Sequence, residues 1–186
     1  AYPVSYNLIQ QTKTDLGLDT FITTLNRLST DEVSDRQVFL LRKSMQTVQA
    51  CNETTLLDIN RFLLDETFRN HILTHCKDRE LISFWQNFGQ QRKGYQNTID
   101  AIHTKNDKFI GSETNRNLTC QKQSKIDLRK ILSAQRNYIV LLKIQPSAIV
   151  SSMTGYVIAG SVLTEIQNIT MSVPHNKQVF LILEEY

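Results

Sequence analysis

The sequence predicts an all-α protein, a single-domain helical bundle of roughly four to five long helices plus short N-terminal helices. Two observations support this fold class. The 186 residues include only 6 Gly and 3 Pro, whereas average usage would supply about 22 of these turn-forming residues. Apolar residues also recur at intervals of three and four along most of the chain, which is the spacing of one helix face. With 40% hydrophobic residues, the chain is too apolar to be intrinsically disordered.

The N-terminal region is predicted to form two short helices. Residues 4–14 form a weakly amphipathic segment. Gly17 follows it, and glycine is favoured just beyond a helix end because it adopts the left-handed conformation without strain. Asp19 can cap the second short helix, since aspartate is a preferred N-cap residue.

Two longer helices are predicted next. Ser29 begins a Ser-Thr-Asp-Glu sequence, which has the spacing of a capping box for a helix over residues 31–50. A break follows, and Thr55 together with Asp58 can cap a helix over residues 55–75. The apolar stripe of the first of these helices consists of Val38, Leu41, Met45 and Val48.

The most regular pattern lies over residues 78–104. Its seam has a heptad-like 3-4 spacing and consists of Leu81, Phe84, Phe88, Gln91, Tyr95, Thr98 and Ile102. Residues 104–119 are polar and lose this periodicity, so the sequence predicts a long polar loop there.

The C-terminal region is predicted to contain two further helices. The first covers residues 121–145, and Pro146 either ends it or begins the next helix at its first position, where proline is favoured. The second is an apolar central helix near residues 147–169. It overlaps residues 144–164, a run of 21 residues without a charge. That run is long enough to cross a bilayer, but its many Ser and Thr residues favour a helix packed on all sides. The apolar tail over 179–183 is of ambiguous type.

The three cysteines can be partly sorted by distance. Cys51 and Cys76 lie 25 positions apart in sequence, at opposite ends of one predicted helix. At 1.5 Å per residue they would be about 37 Å apart, whereas a disulfide needs Cα atoms about 5.5 Å apart. This distance excludes a Cys51–Cys76 bond. In an up-down bundle, the helix over 78–104 returns the chain to the end of the molecule where Cys51 lies. We therefore expect Cys51 to pair with Cys120 and Cys76 to be a free or intermolecular thiol. A Cys76–Cys120 bond remains an alternative.

Asn-x-Thr sequons indicate N-glycosylation sites at Asn52, Asn117 and Asn168, and such sites belong to secreted proteins. The chain begins at Ala1 without an initiator Met, as a mature secreted chain or a trimmed one would. The prediction is a secreted, extracellular glycoprotein with a disulfide bond.

One group of aromatic and small residues has two interpretations. Core packing is the ordinary role of such residues, but small residues facing large aromatic rings can also leave an interhelical cavity for a hydrophobic ligand. The candidate lining residues are Phe84, Trp85, Phe88, Tyr95, Met153, Gly155 and Tyr156.

No catalytic motif is found. His71, His75 and Cys76 have a spacing that zinc can use, but no Glu lies between the histidines and no second ligand cluster exists. Residues 155–161 superficially resemble a phosphate loop without its Lys. The sequence therefore predicts a protein that is not an enzyme and has no metal or cofactor.

Three functions remain for such a chain. The charge balance of 21 basic and 18 acidic residues does not indicate a nucleic-acid partner. The first prediction is a secreted, non-enzymatic protein that binds a receptor or target protein, as a cytokine-like factor or a secreted effector or inhibitor. The alternative is an extracellular carrier of a lipid or other small hydrophobic ligand. The third is a membrane-active protein, which the dilution of residues 144–164 by Ser and Thr makes the weakest.

Overall fold

The computed structural model describes residues 5–11, 13–28, 33–133 and 152–172. All regular secondary structure within these ranges is α-helical, which confirms the predicted all-α class. The helices are α1 (Leu8–Gln11), α2 (Asp15–Leu28), α3 (Asp35–Val48), α4 (Leu56–Leu64), α5 (Glu66–Leu73), α6 (Arg79–Ile110), α7 (Glu113–Thr119), α8 (Leu128–Ser133) and α9 (Ser152–Ser172). The longest are α6 with 32 residues and α9 with 21.

The N-terminal helices differ from the prediction because Thr14 begins α2. Its Oγ1 accepts a hydrogen bond from the Gly17 N–H at 3.1 Å, and its carbonyl accepts from the Leu18 N–H at 2.9 Å. Gly17 therefore lies in the first turn of α2, and its predicted role at a helix end is wrong. Of the predicted helix over 4–14, only the four residues of α1 are helical among those that are described.

Helix α3 carries the predicted apolar stripe. Its N-cap is Ser34, whose side chain accepts from the Gln37 N–H, so the helix begins after the predicted residue 31. The expected cap at Ser29 lies outside the described residues. The buried apolar residues of α3 are Leu40, Leu41, Met45 and Val48.

The predicted helix over 55–75 is two helices that meet at Asp65. This residue has an extended backbone and its carboxylate caps α5 by accepting from the Phe68 N–H at 3.0 Å. Arg69 is 2% exposed, and its Nη1 donates to the carbonyl oxygens of Phe62 at 3.1 Å and Leu63 at 3.4 Å. The buried guanidinium thus supplies the hydrogen bonds that the end of α4 lacks.

The predicted loop over 104–119 is wrong, because α6 continues to residue 110 and α7 follows. The periodicity is hidden by an inward-facing polar residue. Asn106 is buried, and its Nδ2 donates to Oδ1 of Asn60 at 2.9 Å. Gly111 ends α6, and a Cβ atom there would lie 2.5 Å from the carbonyl oxygen of Asp107, so the close approach requires glycine.

The predicted helix over 121–145 begins seven residues late, at α8, and its part beyond α8 lies outside the described residues. The segment before α8 is not helical because it bonds to the N-terminal segment. The Lys125 N–H donates to the Ser5 carbonyl at 2.9 Å, and the Ser5 hydroxyl donates to the Gln123 carbonyl at 3.0 Å. Backbone groups used in this way are not available to a helix.

Helix α9 corresponds to the predicted apolar helix near 147–169, and the residues before 152 lie outside the described ranges. It packs mainly against α2, with further contacts to α1 and α8. Its buried apolar residues are Ile158, Val162 and Ile169. The tail over 179–183 is not described either.

Candidate functional site

Three segments of the chain meet at one end of the molecule, and we call this region the polar end. The segments are residues 5–10, 49–55 and 117–125, which are joined by hydrogen bonds and by a Glu53–Lys122 ion pair of 3.1 Å. The polar end brings together four residues that the sequence singled out, namely Cys51, Asn52, Asn117 and Cys120. It is therefore the first candidate site.

Asn7 holds the three segments together. It is fully buried, and its Nδ2 donates to the carbonyl oxygens of Thr54 at 2.9 Å and Lys122 at 3.0 Å. Its Oδ1 accepts from the Ile9 N–H at 2.9 Å, which caps α1. Sequence reasoning missed this residue, although an Asn directly before the apolar pair Leu8 and Ile9 is an N-cap signal.

The turn after α3 presents Glu53 at the surface. The Thr54 hydroxyl lies 3.0 Å from the carbonyl oxygens of Val48 and Cys51, so it satisfies the end of α3 and fixes the turn. Glu53 has a φ of 65°, in the left-handed region that costs a non-glycine residue about 1–2 kcal/mol. The predicted Thr55 and Asp58 cap of the next helix is present, with the Thr55 N–H donating to Oδ2 of Asp58 at 2.8 Å.

Two open grooves flank Glu53. The first, which we call the Asn52 groove, has a volume of about 250 Å³ and is lined mainly by residues with polar side chains. The second, the Asn117 groove, has a volume of about 640 Å³ and is lined by residues with polar or charged side chains. Glu53 and Gln123 line both grooves, so these two residues form the ridge between them.

The three cysteines are free thiols in the structure, so it does not contain the expected Cys51–Cys120 bond. Both of these thiols lie near the Asp58 carboxylate at the start of α4. Burial raises the pKa of each thiol, and the negative charge of Asp58 raises it further. Cys76 is buried, with its Sγ 3.8 Å from the Asp78 carbonyl oxygen.

The three sequon asparagines have different surroundings. Asn52 and Asn117 are exposed, and each lines one of the two grooves. Asn168 lies on α9 and its Nδ2 donates to Oγ1 of Thr14 at 3.1 Å. Its amide therefore lies at the surface, beside the start of α2.

The aromatic candidates for cavity lining pack against one another in the core. Trp85 and Phe88 are 2% and 1% exposed, with ring centroids 4.9 Å apart at a steep angle. The Phe62 ring lies 4.7 Å from that of Trp85. These edge-to-face contacts are typical of a filled core. Met153, Gly155 and Tyr156 lie on α9, but their side chains are outside what the structure describes.

Two of those aromatic residues, Phe84 and Tyr95, are half-buried and pack beside side chains of α3. Together with three residues of α3 they form what we call the Phe39 ridge, which consists of Arg36, Phe39, Lys43, Phe84 and Tyr95. Phe39 is 42% exposed and its ring lies 5.5 Å from that of Phe84. The Arg36 guanidinium lies 4.3 Å from the Tyr95 ring centroid. Aromatic and arginine side chains are enriched at protein interfaces.

His71 lies on α5, and His75 follows shortly after the end of that helix. The rings of His71 and His75 lie 5.0 Å apart, and Nδ1 of His75 lies 3.1 Å from the carbonyl oxygen of His71. Among the residues that the structure describes, no group of three or more His, Cys, Asp or Glu side chains is placed to hold a metal ion.

Within the described ranges, no helix is both long and apolar enough to cross a membrane. No protein-family model, curated protein or solved structure matches the chain.

Proposed function

We propose that the chain is a secreted, non-enzymatic glycoprotein with a helical-bundle fold that acts by binding another protein through the Phe39 ridge. The observation that carries the proposal is the exposure of Phe39 beside Phe84, between the cationic side chains of Arg36 and Lys43. Aromatic and arginine side chains are enriched at protein interfaces, and a few such residues supply most of the binding energy there.

The polar end supports the extracellular part of the proposal. Asn52 and Asn117 are exposed and can carry glycans. Cys51 and Cys120 lie in one neighbourhood beside Asp58, and a bond between them would join the end of α3 to the end of α7. Disulfide bonds persist in oxidising compartments.

The alternative function, a carrier of a lipid or small hydrophobic ligand, has less support. Trp85 and Phe88 fill the core instead of facing empty space. The two grooves at the polar end are lined mainly by amide, hydroxyl and charged side chains, which suit polar groups. Native mass spectrometry of the protein before and after organic extraction tests this choice. A stoichiometric apolar ligand that co-purifies would overturn the protein-binding proposal.

The secreted state is tested by expressing the chain behind a signal peptide in animal cells. The intact mass is then measured before and after reduction and deglycosylation. We expect glycans on Asn52 and Asn117, one disulfide and one free thiol. Three free thiols and no glycan on the secreted protein would contradict the proposal.

The binding surface is tested by placing a photoactivatable residue at position 39. The matched control places it at Gln90, an exposed residue of α6 outside the ridge. In the native extracellular fluid, we expect one discrete crosslinked protein from position 39 and none from position 90. Equal crosslinking from both positions would show that the ridge is not a specific interface.

A further inference from the structure

We infer that the sugar residues attached to Asn52 and Asn117 lie in the two grooves beside Glu53, so that the protein's own glycans bind the polar end and stabilise it. The inference rests on the proposed function, because it requires a glycosylated protein. It adds a carbohydrate-binding role to the grooves, with the chain's own N-linked glycans as the occupants.

The first support is position. Asn52 lines the smaller groove and Asn117 lines the larger one, and both side chains are exposed. The first sugar of an N-linked glycan is bonded to the asparagine Nδ2, so it begins at the edge of the groove in each case. The covalent link holds the sugar at an effective concentration in the millimolar range, so even weak contacts are occupied.

The second support is chemistry. Sugars present hydroxyl and acetamido groups at the ring edge and C–H groups at the ring face. In the Asn52 groove, the exposed amide of Gln123 can both donate and accept hydrogen bonds. In the Asn117 groove, Lys122 and Lys125 supply donors beside Gln123.

The third support is the wall between the two grooves, which Glu53 and Gln123 form. Glu53 forms a 3.1 Å ion pair with Lys122, 69 positions away in sequence, so the wall that both sugars would contact forms only when the chain is folded. A sugar that contacts this wall binds the folded state and not the unfolded chain. Such binding raises stability by mass action.

The test compares four secreted proteins, namely the wild type, Asn52→Gln with Asn117→Gln, Gln123→Ala, and the variant with all three changes. Gln123 is exposed and lines both grooves. We expect removal of the glycans to lower Tm by about 4–8 °C, at 2–4 °C for each site. Gln123→Ala should lower Tm by about 2–4 °C in the glycosylated protein and by less than 1 °C without glycans, because coupling requires contact.

Enzymatic trimming gives a test that needs no substitution. An endoglycosidase that leaves one N-acetylglucosamine on each asparagine should keep Tm within about 1 °C of the untrimmed protein, because the sugars nearest to the chain make the groove contacts. A Tm unchanged by the Asn52 and Asn117 substitutions, or a Gln123→Ala effect that is the same with and without glycans, would overturn the inference and leave the proposed function intact. A secreted protein whose mass shows no glycan would overturn both.

Discussion

The indole Nε1 of Trp85 donates a 2.8 Å hydrogen bond to Oγ1 of Thr47 and so joins α6 to α3 inside the core. The Thr47 hydroxyl in turn donates to the Lys43 carbonyl oxygen at 2.7 Å, so both its donor and its acceptor are used. Trp85 is 2% exposed, which means that water cannot replace this acceptor. The sequence predicts a core or cavity-lining position for Trp85, but it does not identify the partner Thr47, which lies 38 positions away.

Thr47→Val is expected to destabilise the protein. Valine keeps the shape of threonine but leaves the buried indole N–H without an acceptor, which costs about 1–3 kcal/mol. The matched control is Thr47→Ser, which keeps the hydroxyl. Urea unfolding followed by Trp85 fluorescence measures both variants, and equal free energies of unfolding for the two would contradict the assigned role of this hydrogen bond.

Asn7→Ala is expected to cost about 2–4 kcal/mol of unfolding free energy. The change removes the cap of α1 and leaves the buried carbonyl oxygen of Thr54 without a donor, whereas the Lys122 carbonyl keeps Gln10 as a donor. Gln10→Ala is the control, because the Gln10 Nε2 donates to the same Lys122 carbonyl at 2.9 Å but does so at the surface. Chemical denaturation should give a loss below about 1 kcal/mol for the control. Similar losses for the two variants would show that Asn7 does not hold the polar end together.

Replacement of Glu53 tests the left-handed backbone at this position. Both Glu53→Ala and Glu53→Gly lose the ion pair with Lys122, so the two variants differ from each other mainly in the conformational freedom of the backbone. Glycine relieves about 1–2 kcal/mol of strain at a φ of 65° but gives the unfolded chain about 0.4–1 kcal/mol of extra entropy. Glu53→Gly should therefore be more stable than Glu53→Ala by about 0.5–1 kcal/mol, measured as unfolding free energy in urea. Equal unfolding free energies for the alanine and glycine variants would contradict the predicted backbone strain at position 53.

The pH dependence of stability is predicted to include a contribution from Glu165. Burial raises the pKa of this carboxyl, although the hydroxyl of Tyr6, 3.1 Å from Oε2, lowers it in part. Because the folded-state pKa lies above the unfolded one, the folded state binds the proton more tightly. Stability is then fully present below the unfolded pKa and is lost as the pH rises to the folded pKa.

Glu165→Gln removes this titration and keeps an oxygen that can accept from Tyr6. We expect the variant to be more stable than the wild type at pH 7 and the difference to shrink to zero or reverse near pH 4. Urea unfolding of both proteins at pH 7 and pH 4 measures this difference in unfolding free energy. A difference that does not change with pH would contradict the prediction.

Local interactions explain the predictions that succeeded. The Thr55 and Asp58 cap spans three residues and needs no other part of the chain. The buried stripe of α3, from Leu41 to Val48, follows directly from apolar spacing. The core positions of Trp85 and Phe88 follow from the same periodicity, although their spacing did not distinguish a filled core from a cavity wall.

Contacts between distant residues explain the predictions that failed. The break at Asp65 depends on the buried Arg69, whose guanidinium satisfies the end of α4. The spacing of apolar residues gives no information about a hydrogen bond from a buried arginine. Helix α6 extends through the polar region after residue 104 because Asn106 finds a partner in Asn60 on another helix.

By itself, the sequence determined the all-α class, the apolar faces of the principal helices and one of their caps, because these depend on helix periodicity and on neighbours three or four residues away. Only the tertiary structure decided where the polar end lies. Residues 5–10, 49–55 and 117–125 are far apart in sequence, and the buried amide of Asn7 joins them through hydrogen bonds to Thr54 and Lys122. A buried amide must find partners wherever the fold supplies them, and no local pattern records which carbonyl groups these will be.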